Sequence, residues 1–294
     1  MSDSILVTGA SGHLGRLVIG HLLDTQKIAP ARVIAGTRDP AKLADLAARG
    51  ITVRKVDFNG VEALPEAFAD VGTLLIISTD ALDGAGTRLK QHKNAVAAAV
   101  KAKVGAIAYT SLPNPETSDV SFAPDHLGTE NAIKASGLPY TIFRNNWYQE
   151  NLFMALPPAL ASGQWYSSAG DGKIPHIGRD DIAAAIAAGL VQPATNKIYT
   201  LTGATALTTK EVAERVAKVT GKPLAVVDVT DEQLAGGMKA AGVPEAYIPT
   251  LVSFDTTTRN GGLAIVTDDA SCLSGRALVT LDEFLAKNAG KLAG

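Results

Sequence analysis

Three glycines spaced three apart, Gly9, Gly12 and Gly15, sit in the run Ile5-Leu6-Val7-Thr8-Gly9-Ala10-Ser11-Gly12-His13-Leu14-Gly15. The chemistry that spacing serves is phosphate binding. A β-prone apolar stretch enters the turn, and Arg16 to Leu23 leave it with apolar residues at helical spacing. Backbone N–H groups and the positive end of a helix dipole are thereby aimed at one spot. Gly9 permits the tight turn, Gly12 lets a pyrophosphate approach the backbone, and Gly15 lets the helix pack closely on the strand. The spacing is GxxGxxG rather than GxGxxG, so the strand–turn–helix context carries the reading. Ser11, His13 and Leu14 are expected to serve the cradle with the three glycines, His13 by its backbone position rather than as a catalyst.

Which dinucleotide is bound is read after the second strand, where an acidic residue would hold a ribose 2′-hydroxyl. Here Thr37 is followed by Arg38, whose guanidinium suits a 2′-phosphate. The alternative is an arginine paired with Asp39. NADPH is therefore the expected cofactor. In a sheet that binds ligands at its carboxyl edge, Asp57 and Phe58 fall beside the adenine, and Ser78 and Thr79 beside the pyrophosphate or nicotinamide ribose. At the same edge stand Asn145-Asn146-Trp147-Tyr148. The two asparagine amides are expected at the nicotinamide carboxamide. Trp147 and Tyr148 either wall a flat acceptor or pack between lobes. Trp165 and His176 are candidates for the far wall. His21 and His92, on helices, are expected to be structural.

The elements that must position these residues follow from pattern. Strands are expected at Ile5–Thr8, Arg32–Thr37, Thr52–Val56, Thr73–Ile77, Ala106–Thr110 and Tyr140–Arg144, with helices between them at Pro40–Arg49, Arg88–Ala102 and Pro124–Ser136. Strands alternating with helices mean a doubly wound, parallel, Rossmann-type α/β sheet. The apolar run Thr73–Ile77 reads as a strand buried on both faces. After Arg144 the rhythm breaks. Pro157-Pro158 predict a kink or two short pieces within Asn151–Ala161, and Ser167–Gly178 reads as a polar, glycine-rich loop. A helix opening at Asp180-Asp181 and a strand at Lys197–Leu201 follow. Thr208 or Thr209 caps a helix over Lys210–Val219, and helices are expected at Glu232–Ala241, Pro244–Phe254 and from Thr280. The expected division is a cofactor domain over 1–148, to which 172–203 returns, and a smaller, mostly helical substrate lobe over 149–171 and 204–294.

Bulk properties narrow the function class. The 294 residues are 46% hydrophobic with net charge −2, which provides a sizeable core and no basic field for nucleic acid or acidic membranes. No apolar run reaches the ~20 residues that span a bilayer. The opening Met-Ser-Asp-Ser has no basic or apolar leader, and the expectation is a cytoplasmic protein. Cys272 is the single cysteine, so no internal disulfide forms, and the five histidines show no metal-ligand spacing. No metal is expected.

The opening Thr8–Gly15 resembles that of atypical short-chain dehydrogenases/reductases of the NmrA-like group. Ala108-Tyr109-Thr110-Ser111-Leu112, His126-Leu127-Gly128-Thr129-Glu130, Phe143 to Asn151 and Ala169 to Ile174 are similar to that group's quinone- and triphenylmethane-reducing branch. The likeness covers nearly the whole chain and weakens after about Pro223. It implies flavin-free, metal-free hydride transfer from NADPH to a quinone, enone, carbonyl or dye, and leaves a homodimer open. Catalytic roles are expected of Ser111 and His126 from the resemblance, and of Asn146 and Tyr148 from their place at the carboxyl edge. The Tyr-x-x-x-Lys pair of most short-chain reductases is missing, and His126 and Glu130 stand on that helix instead. His126 orients the cofactor ribose, donates to a substrate oxygen, or pairs with Glu130; Ser111 faces the substrate or ends its strand as a cap. The rival from another class is an NADP-binding redox sensor that turns over nothing.

Overall fold

Leu6, Leu74, Ile107 and Ile142, one from each of four strands of the central sheet, are all fully buried, because helices cover both faces of that sheet. The computed structural model describes residues 3–83 and 86–292; Met1 and Ser2, the first half of the opening Met-Ser-Asp-Ser, lie outside them. Strand β1 (Ile5–Val7) passes through the glycine turn into α1 (His13–Asp24). Then follow β2 (Val33–Thr37), α2 (Ala44–Ala48), β3 (Thr52–Lys55), α3 (Leu64–Ala67) and β4 (Thr73–Ile76). The alternation continues with α4 (Thr87–Ala102), β5 (Ala106–Ser111), α5 (Ala123–Ala135) and β6 (Tyr140–Asn145). After it come α6 (Leu152–Ser162), β7 (Gln164–Ser167), β8 (Lys173–Ile174), α7 (Arg179–Leu190) and β9 (Lys197–Leu201). The chain ends with β10 (Leu207–Thr208), α8 (Thr209–Thr220), β11 (Ala225–Asp228), α9 (Asp231–Ala240), α10 (Ile248–Arg259), α11 (Asp269–Ser274) and α12 (Leu281–Leu292).

Seven strands form one sheet in the order β3-β2-β1-β4-β5-β6-β9, every pairing parallel. The order reverses between β1 and β4, and that switch point opens a crevice at the carboxyl edge. On one face α1 packs against α7, and α7 against α11, burying Val18, Ile19, Leu22, Ile182 and Ile186. On the other face α3, α4 and α5 bury Phe68, Ala95, Ala99, Tyr109 and Ile133. A separate core joins α6, α8 and α12 through Leu152, Leu156, Val212, Val216, Phe284 and Leu285. Asn146 N–H to the Leu201 carbonyl (2.9 Å) and Ile177 N–H to the Trp147 carbonyl (3.0 Å) tie the end of β6 to the returning chain.

Several expectations are corrected. Pro40–Arg49 is not one helix but a 3₁₀ turn over Pro40–Leu43 followed by α2, because the Asp39 carboxylate accepts from Ala41 N–H (3.2 Å) and begins a tight turn. Pro157-Pro158 do not split α6 into two elements. Burial of Leu152, Leu156 and Leu160 along one stripe outweighs the two missing N–H groups. The loop expected over Ser167–Gly178 contains β8, paired antiparallel with β10. Just before it, β7 pairs in parallel with β11. Both partners lie far along the chain, and each strand is too short to show periodicity. Helix α11 has no counterpart among the expected elements and departs from the expected lobe, since Ala270 is buried in the core shared by α1 and α7.

Candidate active site

The glycine turn is built as its spacing requires. Gly9 has φ +62°, a conformation that costs glycine nothing. A Cβ on Gly15 would lie 2.4 Å from the Gly9 carbonyl oxygen and 2.9 Å from Ala10 Cα. Gly12 caps α1 without a side-chain hydrogen bond, so the first-turn N–H groups are left facing outward for an acceptor. Thr8 Oγ1 donates to the Leu75 carbonyl (2.9 Å) and accepts from Ile77 N–H (3.0 Å), joining the turn to the end of β4. Ser11 Oγ lies 3.1 Å from Thr37 Oγ1, joining it to β2.

In front of this turn runs a cleft of about 240 Å³ lined by Gly9, Ser11, Gly12, Arg38, Asp57, Phe58, Ser78 and Thr79. Thr37, Val56, Asp80 and Gln91 line it too. Arg38 is exposed, and the Asp39 carboxylate with which it could have paired caps Ala41 instead. Asp57 Oδ1 accepts from Asn59 N–H (3.0 Å), fixing the turn after β3. His13, Leu14 and Gly15 do not line the cleft; His13 is exposed at the helix start and Leu14 is in the core. Thr79 Oγ1 and Gln91 Oε1 are buried without partners among the described residues. Orphaned polar atoms beside uncapped N–H groups and an exposed guanidinium fit a dinucleotide phosphate ligand.

Ser78 also borders a second cavity of about 210 Å³. Its walls include Arg88, Ser111, Leu112, Phe122, His126, Asn145, Asn146, Trp147, Tyr148, Phe254 and Leu263. Trp147 packs against Phe254 with centroids 4.2 Å apart, and Phe254 meets Phe122 edge-on at 5.8 Å. Phe122 in turn lies under the Arg88 guanidinium at 4.8 Å. The aromatic wall therefore comes from the end of β6, the start of α5 and from α10, which are distant in sequence. Trp165 lies against the α6–α8–α12 core, and His176 borders a different depression beside Arg215 and Thr280. Neither lines this cavity, because the β7–β11 pairing and the α8–α12 packing hold them at other surfaces. His176 is nonetheless largely deprotonated, its pKa lowered to about 4 by burial.

Hydrogen bonding corrects several expected roles. His126 does not pair with Glu130. Glu130, fully buried, accepts from Ser111 Oγ (2.8 Å), Arg144 Nε (2.9 Å) and Lys134 Nζ (3.1 Å). Arg88 Nη2 donates to His126 Nε2 (2.8 Å). A guanidinium can only donate, so the ring carries its proton on Nδ1 and donates to the Tyr109 hydroxyl (2.8 Å). Burial, then the Arg88 charge, hold the His126 pKa well below its ordinary value. A neutral ring with both nitrogens engaged has no proton for a substrate oxygen. His126 positions Arg88 and Tyr109 instead. His92 repeats the pattern: Nε2 accepts from Thr79 N–H (3.0 Å), Nδ1–H donates to Thr129 Oγ1 (2.9 Å), and burial lowers its pKa to about 3.

Asn146 is also committed. Its Nδ2 donates to the Leu263 carbonyl (3.0 Å) and its Oδ1 accepts from Trp147 N–H (2.7 Å), so both ends are engaged away from a carboxamide. It clips the C-terminal segment onto the sheet edge. Asn145 keeps a buried Oδ1 without a partner among the described residues and places Nδ2 3.5 Å from the Tyr148 hydroxyl. Ser111 reaches the cavity, but its proton goes to Glu130. Tyr148 keeps its hydroxyl proton, with the pKa raised by burial, and Arg179 covers its ring at 4.8 Å. Arg88 enters the sequence reading only as the start of a helix. A cation at the start of the helix after β4 was the available signal, and no spacing rule singles it out.

The sequence profile of the NmrA-like family matches residues 1–285. Quinone oxidoreductase 2 of Escherichia coli (strain K12) is 38% identical over 284 residues, covering 96% of this chain and 97% of that protein. The crystal structure of the NADPH-dependent quinone oxidoreductase from Escherichia coli complexed with NADPH superposes with a TM-score of 0.91 at 37% identity, over 96% of this chain and 99% of that one. Triphenylmethane reductase of Citrobacter sp. complexed with NADP(H) gives 0.90 at 36% identity, over 97% and 100%.

Proposed function

Because this chain belongs to the NmrA-like family, we propose that it is a reductase that passes hydride from NADPH directly to a quinone or a similar conjugated or carbonyl acceptor, without flavin or metal. The observation that carries the reading is the junction at Ser78, where a phosphate-binding cleft opens into an aromatic-walled cavity. NADPH supplies the hydride; the protein supplies placement and a dry pocket. Backbone N–H groups of the glycine turn hold the pyrophosphate, and Arg38 takes the 2′-phosphate. Asp57 and Phe58 flank the adenine. Thr79 Oγ1 and Asn145 Oδ1, both buried and unpaired, meet polar groups on the nicotinamide side. Trp147, Phe254 and Tyr148 hold a flat acceptor.

Residues 1–148 with 172–203 act as the cofactor body, and 149–171 with 204–294, α11 excepted, as the acceptor lobe. The rival of a sensor without turnover is the weaker reading, since the relatives named above, at 36–38% identity, are oxidoreductases or reductases by name. Among the described residues no helix is long and apolar enough to cross a membrane, and we place the protein in the cytoplasm. Chromatographic sizing decides between a monomer and a homodimer.

The test is NADPH consumption with a panel of quinones, enones and ketones, using protein treated with chelator and free of flavin absorbance. Quinone turnover at full rate is expected. No turnover with any acceptor, or turnover restored only by added flavin or metal, overturns the reading.

A further inference from the structure

Arg88, in the first turn of α4, is 6% exposed, yet it bonds to uncharged acceptors, the Thr79 carbonyl and His126 Nε2. Its Nε–H is buried and has no partner among the described residues. Asp125 and Asp80 act on it through space. A guanidinium stays protonated in a protein, and burying one with no carboxylate in contact among the described residues is strongly unfavourable. The Phe122 ring at 4.8 Å offsets only a small part of that cost and does not explain why the charge is kept. Two neutral histidines, His126 and His92, bracket it, the second through Thr79. They supply acceptors without supplying a counter-charge. The cavity that Arg88 borders is the acceptor pocket, which meets the cofactor cleft at Ser78.

We propose that Arg88 is the oxyanion-binding residue of this pocket: its guanidinium receives the carbonyl oxygen of the acceptor and holds the negative charge that hydride transfer creates there. The inference rests on the reductase reading and adds the substrate class. In the reaction NADPH is oxidised to NADP⁺ as a hydride, one hydrogen with two electrons, bonds to the acceptor. Hydride bonds to one carbonyl oxygen of a quinone, or to the β-carbon of an enone; the conjugated π pairs shift by one bond and the other carbonyl's π pair withdraws onto its own oxygen, giving a phenolate or an enolate that water protonates later. A phenol has a pKa near 10, so the anion persists long enough to need a partner but not an acid in place. Tyr148, another donor on the wall, is neutral and adds a hydrogen bond but no charge. A fixed cation favours acceptors that become anions, and it opposes cationic dyes, whose charge hydride transfer cancels.

Two measurements test this. The first needs no turnover: para-nitrophenol, a coloured phenolate mimic, is titrated with pH on the protein, with and without NADP⁺. Bound to wild type its apparent pKa is expected to fall by at least about one unit, the usual effect of a neighbouring opposite charge, and Arg88→Gln is expected to abolish the fall. The second compares acceptors at saturating NADPH. Arg88→Gln is expected to lower quinone kcat by on the order of 10²-fold, as loss of an oxyanion donor does, while kcat/KM for a cationic triarylmethane dye holds or rises as the repulsion against its binding is removed.

An unshifted probe pKa on wild type overturns the proposal, and this holds even if Arg88→Gln fails to fold. Equal losses on quinone and dye, or a matching loss in NADP⁺ affinity, overturn it in favour of a cofactor or folding role. If wild type reduces no quinone, the reductase reading fails by itself, and the probe titration still reports on Arg88.

Discussion

Neighbouring residues of one type take different work here, and two asparagines display it. Asn146 satisfies a buried carbonyl and a part-buried N–H of the chain itself, whereas the Asn145 carbonyl oxygen is buried with nothing to accept from among the described residues. Asn146→Ala should therefore destabilise the fold by about 1–3 kcal/mol for each backbone group it strands, with cofactor affinity tracking stability. Asn145→Ala should leave the unfolding free energy within about 1 kcal/mol, because it strands no backbone partner, and should weaken NADP(H) binding. Denaturant melts beside cofactor titrations separate the two; equal destabilisation would count against the assignment of Asn145. Arg38 invites a sharper comparison. It is exposed, and its acidic neighbour is occupied elsewhere. Arg38→Ala should weaken NADPH by about 1.5–3 kcal/mol, the worth of charge-assisted hydrogen bonds, or roughly 10- to 150-fold. NADH should be nearly unaffected, and an equal loss for both would mean that Arg38 does not read the phosphate.

At the scale of elements, the crossing of α1 over the glycine turn sets how close the cofactor's phosphates come to the backbone. The same substitution at two points of α1 should have opposite signs. Gly15→Ala forces a Cβ to 2.4 Å from the Gly9 carbonyl oxygen and 2.9 Å from Ala10 Cα, both backbone atoms that cannot rotate away. It should cost about 1–3 kcal/mol or more by overpacking and spoil cofactor binding along with stability. Gly20 lies in the same helix, and nothing stands within 4 Å of the point its Cβ would occupy. Gly20→Ala should stabilise by about 0.5–1 kcal/mol through helix propensity. Thermal unfolding of both variants, with and without NADPH, checks the pair; stabilisation by Gly15→Ala would refute the close crossing.

For the whole molecule the buried histidines set an acid limit. His92 has its pKa lowered to about 3, and His126 shifts in the same direction, in both cases first by burial and then by Arg88. Depressed basic groups bind protons more readily when unfolded. Their contribution to stability is complete above the unfolded value of about 6.5 and is lost as pH falls below it. Each should remove about 1.4 kcal/mol per pH unit, a steep slope against a total stability of about 5–15 kcal/mol. Denaturant unfolding at successive pH values from neutrality downward should show the decline, and His92→Gln should reduce its slope by up to that amount. A flat profile would mean that these rings are charged in the fold.

The sequence alone determined whatever depends on neighbours along the chain. The glycine turn, the place of Arg38 at the cleft, the strand–helix alternation and the parallel sheet follow from spacing, because a βα unit places its loop, its helix dipole and its carboxyl edge by local geometry. A cap at Thr208 or Thr209 was legible for the same reason, and the structure seats it on Thr208, closed by Glu211. Tertiary structure decided which side chains remained free once they met. His126 and Glu130 share a helical face by spacing, but Arg144 from β6 and Arg88 from α4 draw them to different partners. The β7–β11 pairing, the seat of α11 and the aromatic wall from Trp147, Phe254 and Phe122 unite residues tens of positions apart. Arg88 became visible as a site residue only with its surroundings, since an arginine on a helix is ordinary until burial removes its water and the fold withholds a carboxylate.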